Sequence, residues 1–521
     1  MSEHQSVVAA HPAGSQPRVE SALDGPIPVD TYAGRIDVDW DPEAAVTPLG
    51  QLPFFVEFLR HAGLFDAWVA GCPLHYTSPN APPVRDLLGT VLLSILSGHR
   101  RYAHITALRA DTVIPPLLGM RRVLSEDAVR RGFAAIDPTR GILWLTEQLD
   151  YVSRPLLGEP WILDVDTTVK PLYGHQEGAV LGYNPRKPGR PSHTYHSYLL
   201  ANLRLVLDVE IQPGNQQTSK HSAPCLWTLL QRIGRPFWPA LLRGDCDFGN
   251  EGIMSGAEAR GLPYLFKLRA TAGVKRAIER AMSAAGWQTA GQGWEGQFTD
   301  LRLEGWSRHR RIVLLRRKLE RNLAITDGGR DAPRQLGFAT IAAAREMWEY
   351  AALVTSVDAE IRTLAQLYRD RGDCENDFDE LKNQWGWGGF TTHDLARCQL
   401  MAGCVALVFN WWNLFTRLAD PDHHREAITS RPLLLTAIAR QVRHAGRTTL
   451  RVSSPHGRHA WVRAAFARIA GFFAELSQAA EQLTPLDRWY RMLSEALKRY
   501  LRGRQLHPPD RIPAAATTAA G

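Results

Sequence analysis

Cysteine is scarce and scattered: six residues in 521, at positions 72, 225, 246, 374, 398 and 404, with no Cys-x-x-Cys pair. That spacing excludes a zinc ribbon and a disulfide scaffold, and a reducing cytoplasm is the expected compartment. No run of about 18 apolar residues is present, so no membrane span is expected. The first residues offer neither a basic start nor an apolar leader segment. Internal repeats and sustained heptads are also lacking, which leaves a chain organised by ordinary domains. An acidic balance is missing too. Lys plus Arg number 61 against 53 Asp plus Glu, a net charge of +8, which favours a polyanionic partner, most commonly nucleic acid.

What the chain does have is size and apolar content. Its 521 residues are 45% hydrophobic, enough for about three or four domains with cores of their own. Basic residues gather at Arg308-His-Arg-Arg311 and Arg316-Arg-Lys318, while Lys187 and Arg190 stand in a Gly/Pro loop.

Three acidic signals follow one another along the sequence. Trp161-Ile-Leu-Asp-Val-Asp-Thr-Thr-Val169 alternates apolar with polar residues, the pattern of a half-buried strand, and period two puts Asp164 and Asp166 on one face. Ala240-Leu-Leu-Arg-Gly-Asp-Cys-Asp-Phe248 is a short apolar run ending in Asp245, which places an aspartate just beyond a buried strand. Tyr368, Arg371, Glu375 and Lys382 lie at offsets 0, 3, 7 and 14. At about 100° per residue these fall near 0, 300, 340 and 320° on one helix stripe. Gly372 inside that run costs roughly 1 kcal/mol against alanine. Each signal has a plainer reading as a solvated face or an i,i+4 salt-bridge stripe. Taken together, two strand-borne aspartates and a helix-borne glutamate suit two divalent cations about 3.5–4 Å apart, the arrangement of metal-assisted phosphoryl transfer. Hard carboxylate ligands select magnesium, or manganese, over zinc.

These motifs resemble the bacterial insertion-sequence transposases of the DDE class, group 1, and the branch with a Tyr-Arg-Glu-Lys signature. Tyr368/Arg371/Glu375/Lys382 match that signature; Leu163 through Gly174 and Gly182-Tyr-Asn-Pro-Arg-Lys-Pro-Gly-Arg190 resemble the group 1 first-aspartate region; Arg243-Gly-Asp-Cys-Asp-Phe248 resembles the second. The resemblance spans roughly residues 50 to 500. It implies Asp166, Asp245 and Glu375 as catalytic residues and as ligands of two Mg²⁺ (or Mn²⁺) ions, with Tyr368, Arg371 and Lys382 on phosphates. Asp166 is preferred to Asp164 because Thr168 follows it at the family's spacing. Asp247 stands as a rival to Asp245.

The expected fold is an α/β catalytic core, a ribonuclease-H-like mixed sheet with flanking helices, interrupted by a β-rich insertion and flanked by all-α N- and C-terminal domains. Residues 1–45 read as a disordered tail and 46–155 as a helical DNA-binding domain exposing Arg130 and Arg131. Residues 156–269 and 351–420 read as the two parts of the core, separated by an insertion at 270–350. That insertion contains Trp287, Trp294 and Trp306, together with Arg308, Arg310 and Arg311. A helical domain at 421–504 and a loose tail at 505–521 complete the chain. The expected partners are double-stranded DNA, both transposon ends and target, and a second protomer in the DNA complex. A nuclease of the same fold that performs no strand transfer, and an inactive DNA-binding descendant, are the alternatives.

Overall fold

The structure, a computed structural model, describes residues 26–184, 187–216, 218–319, 347–453, 456–479 and 482–508; side chains at 218–220 and 373–375 fall outside that description. Two units divide the chain. The first, Met1–Ala45, is described from residue 26 and holds a hairpin of β1 (Ile27–Thr31) and β2 (Gly34–Val38). The turn closes where Thr31 Oγ1 donates to the Gly34 carbonyl at 2.6 Å, and Gly34 takes φ +112°. This hairpin lies within the stretch expected to be a mostly disordered tail, of which residues 1–25 fall outside the described residues.

The second unit begins with the short strand β3 (Val46–Thr47). A helical layer follows: α1 (Leu52–His61), α2 (Leu64–Ala70), α3 (Val84–Leu96), α4 (Ile114–Leu117), α5 (Glu126–Ala134) and α6 (Pro138–Ser153). Local chemistry sets their starts. Ser125 Oγ accepts from the Ala128 amide to cap α5, and Asp137 caps α6 directly before Pro138.

Next come β4 (Ile162–Pro171), β5 (Ser192–Leu200), β6 (Leu205–Pro213), α7 (Thr218–Ile233), β7 (Leu241–Gly244), α8 (Glu251–Ala259), β8 (Tyr264–Lys267) and α9 (Ala272–Met282). Then follow β9 (Gln288–Gly291), β10 (Trp294–Leu301), β11 (Arg310–Lys318), β12 (Trp348–Thr355), α10 (Ile361–Arg369), α11 (Gly372–Asn383) and α12 (Leu395–Ala419). The chain closes with α13 (Ala427–Leu434), β13 (Ile438–His444), β14 (Arg447–Ser453), α14 (His459–Gln478) and α15 (Pro485–Ala496).

One nine-stranded sheet, ordered β6-β5-β4-β7-β8-β12-β11-β10-β9, runs through the unit. β4, β7 and β8 are parallel neighbours, and the remaining pairs are antiparallel. The strands expected in a separate insertion, β9 to β11, therefore extend the same sheet through β12 and β8, while residues 320–346 lie outside the described residues. β13 and β14 form a hairpin joined to β3, which corrects the expectation that both flanking regions are all-α. The alternation Leu450-Arg-Val-Ser453 after the turn-forming Ala445-Gly446 was the overlooked strand signal.

β6 is an edge strand, and α12 covers it. Asn410 accepts from the Val206 amide at 2.8 Å and donates to the Val206 carbonyl at 2.7 Å. Gln399 does the same for Ile211 and Val209 at 2.6 Å each, and Asn413 donates to the Arg204 carbonyl. Side-chain amides thus take the place of a missing neighbouring strand, since unpaired backbone groups at a buried edge are costly. α12 is long and apolar enough by composition to cross a membrane, but 94% of its apolar window is buried inside the protein.

Candidate active site

β4 and β7 run parallel with Asp164 opposite Arg243 and Val165 opposite Gly244. Asp166 and Asp245 are the residues that follow the last pair of that register, Asp245 just past the end of β7. Period two gives Asp164 and Asp166 one face of the sheet, with Arg243 as a ladder neighbour on that face. The two β4 carboxylates have different surroundings. Asp164 is fully buried, and the Arg243 guanidinium donates to both its oxygens at 2.7 Å. Asp166 keeps a side chain 16% exposed.

The helical part of the site comes from α10 and α11. Tyr368 stands near the end of α10, half-buried against an apolar cluster that includes Leu364 and Ala365. The expected single helix breaks at Asp370-Arg371, and Gly372 opens α11, so the glycine is a helix start and carries no interior penalty. Nothing lies within 4 Å of where its Cβ would be. Arg371 sits at this joint, buried, and its Nη2 donates to Asp166 Oδ2 at 2.5 Å. Glu375 falls in the first turn of α11; its side chain lies outside the described residues. Lys382, in the last turn, donates from Nζ to the Val169 carbonyl of β4 at 2.8 Å. Arg243 completes the frame by donating through Nη1 to the Leu367 carbonyl, which ties α10 to the strand beneath the acid pair.

The electrostatics match this geometry. Burial pushes the Asp245 carboxyl above its usual range, the Arg371 charge pulls it back, and Asp247 pushes it up again. The Asp247 amide donates to Asp245 Oδ1 at 2.9 Å, while the Asp247 carboxylate takes the Arg269 guanidinium. Two carboxylates side by side need a positive charge between or beside them, and Arg371 supplies one. Carboxylate oxygens such as these are the donors a hard divalent cation takes. Asp245, Cys246 and Asp247 also hold potential ligand atoms within 4.8 Å of one another. Beside the site, Lys170 on β4 is buried, and burial lowers its pKa to about 8 with the neighbouring Cys398 opposing and Lys382 adding to the fall.

The expected phosphate and DNA contacts are dispersed. Arg371 and Lys382 border the acids, with Arg371 engaged by Asp166 and Lys382 by β4. Lys187 and Arg190 flank the exposed ring of Tyr173, their charges 5.0 and 4.7 Å from its centroid. Arg130 is exposed on α5 beside Glu126 and over Tyr102, and Arg131 is exposed next to it. Arg308 is exposed but pairs with Glu258 at 2.8 Å, and Arg311 pairs with Asp358 at 2.7 Å. Arg310 corrects its expectation outright: it is buried and bonded to Glu251 and Glu258, a structural cation with no face toward a ligand. Of the three tryptophans, Trp306 is buried, and Trp287 and Trp294 lie under Arg316 and Arg317. Sequence reasoning missed Arg243 and Lys170. The parity of Arg243 with Asp245, which follows a four-residue strand, was the available signal for the first; nothing local distinguished the second.

The model of the transposase DDE domain group 1 family matches residues 80–472. The chain belongs to that family. No curated protein matches it. Among solved structures this transposase is similar to a piggyBac transposase in a synaptic complex with hairpin DNA. The identity is 12% and the TM-score 0.34, over 91% of this chain and 88% of that one.

Proposed function

We propose that the protein is a DNA transposase that binds the terminal inverted repeats of an insertion sequence, cuts at the ends and joins them to target DNA by two-metal phosphoryl transfer. The observation supporting this reading is the parallel register of β4 and β7, whose last pair, Val165 opposite Gly244, is followed by Asp166 on one strand and Asp245 on the other, with Arg371 donating to Asp166. A ribonuclease-H-like core is supported by five sheet neighbours in the order third, second, first, fourth, fifth along the chain, with the first, fourth and fifth parallel. Family membership supports the reaction class and a DNA substrate.

In this reading Asp166, Asp245 and Glu375 hold magnesium. Bound there, such ions would lower the pKa of the attacking oxygen and stabilise the leaving one. Arg371 keeps the acid pair together and offers a planar fork for a phosphate, the geometry in which Arg exceeds Lys. Tyr368 hydrogen-bonds a phosphate near the cut, and Lys382 adds charge from the last turn of α11. Lys187, Arg190, Arg130 and Arg131 lie on exposed surface suited to the DNA backbone. Two protomers act together, because an element has two ends to bring into one complex, and the cytoplasm is the compartment of this reaction.

The test is Mg²⁺-dependent cleavage and joining of a labelled duplex carrying the element's own end, with Asp166→Asn, Asp245→Asn and Glu375→Ala beside the wild type. Cleavage and joining lost in all three support the reading. Cleavage without joining makes the protein a nuclease, and binding without cleavage in the wild type makes it a DNA-binding descendant.

A further inference from the structure

Between Glu426 and Glu475 the chain carries eight arginines and no aspartate or glutamate. At the centre of that stretch is the β13–β14 hairpin. Its base is held by the body: Ala439 and Arg440 pair with Thr47 and Val46, and the Ala437 amide donates to the Pro48 carbonyl at 3.0 Å. Beyond the base no third strand covers it among the described residues. Its two-residue turn, Ala445-Gly446, has both residues at positive φ, 47 and 74°, the tight reversal that suits a twisted two-stranded ribbon. With seven residues a side, the ribbon is about 20 Å long.

The register puts like charges together. Arg440 stands opposite Arg451 and His444 opposite Arg447 on one face, and Arg443 points from the other. All five are exposed. The four arginines have no ion pair among the described residues. Like charges directly opposite one another destabilise a strand pair. A ribbon that keeps them without any carboxylate is built for an external anion. Its width matters as well, since the DNA major groove accepts a two-stranded ribbon as readily as a helix.

We propose that the β13–β14 hairpin is a DNA-binding ribbon that lies in or along a groove of duplex DNA, its arginines on the phosphates at the groove edge. This rests on the transposase reading for its choice of polyanion and adds a contact surface remote in sequence from the catalytic residues. Phosphate contacts of this kind position a duplex and carry no sequence preference.

The experiment is a salt titration of the affinity of the full chain for a fluorescein-labelled, mixed-sequence duplex. The variants are Arg440→Ala/Arg443→Ala/Arg447→Ala/Arg451→Ala and the corresponding four-lysine variant. The slope of log affinity against log salt is expected to fall by about 0.9 for each arginine contacting a phosphate, up to about 3.6 in the alanine variant, and to persist in the lysine variant. Arg443→Glu/Arg447→Glu, at the tip and away from β3, serves if the alanine variant does not fold, and must weaken binding about tenfold or more. Wild-type slope and affinity in these folded variants would overturn the ribbon while leaving the transposase reading in place. No DNA binding by the wild type overturns both. Poly-glutamate that competes with the duplex at equal charge concentration would make the ribbon an acidic-protein dock and overturn its assignment to DNA.

Discussion

Arg243→Met tests the frame beneath the acid pair. The wild-type guanidinium makes two 2.7 Å bonds to the fully buried Asp164 and a third to the Leu367 carbonyl. Removing one partner of a buried ion pair leaves an uncompensated carboxylate, at a cost of about 3–5 kcal/mol. The Leu367 carbonyl adds about 1–3 kcal/mol if it finds no donor. Asp164 escapes part of this by taking up a proton, so a loss of about 4 kcal/mol is the expected outcome. Urea denaturation of the full chain, read at its first transition, measures it. Replacing both residues, Asp164→Leu with Arg243→Met, removes the stranded charge and should recover stability to within about 1–2 kcal/mol of wild type. Cleavage should not recover with it. Without the tether from β7 to α10, Tyr368 and Arg371 lose their seat, and a displacement of about 1 Å costs on the order of a hundredfold. A single variant within 1 kcal/mol of wild type, or a double variant with full cleavage, would refute this account of the frame.

Other consequences are open to direct measurement. Burial alone would raise the Glu251 and Glu258 carboxyls, but hydrogen bonds led by those from Arg310 hold both at about 2. Because their folded values are depressed, they contribute stability at pH above the ordinary carboxylate value near 4.5 and lose it as pH falls toward about 2. Arg310→Met should therefore shift acid unfolding to higher pH, and an unchanged acid midpoint would contradict the pairing. Lys170 gives a slope of the same sign in a higher window: with a folded value of about 8 against an ordinary 10.5, the unfolded chain binds its proton more readily. Stability should climb from pH 8 toward 10.5 through this group, and Lys170→Met should flatten that rise in urea midpoints. Asn410→Ala strands both backbone groups of Val206, so a loss of about 2–6 kcal/mol is expected in thermal or chemical unfolding.

Local sequence carried a good deal of this protein. Alternation at 161–169 marks β4 and puts Asp164 and Asp166 on one face, because a strand's period of two is a property of the backbone alone. The apolar stretch at 396–418 likewise marks α12, which runs Leu395–Ala419. Spacing put Tyr368, Arg371, Glu375 and Lys382 on one helix stripe, whereas the chain breaks between Arg369 and Gly372 and divides them between two helices. Pairing partners decided the rest. Motif spacing favoured Asp166 over Asp164, but only the β4–β7 register shows Arg243 consuming Asp164, since residues about 80 positions apart meet through strand pairing that no local pattern encodes. Arg310 looked like its neighbours Arg308 and Arg311 in sequence, yet it is buried because two glutamates of α8 stand next to β11. The strands from 288 to 318 could close a small sheet of their own or extend a larger one. β12 binding both β11 and β8 settled that choice, because an edge strand's free hydrogen-bonding groups are satisfied by whichever strand packing brings alongside.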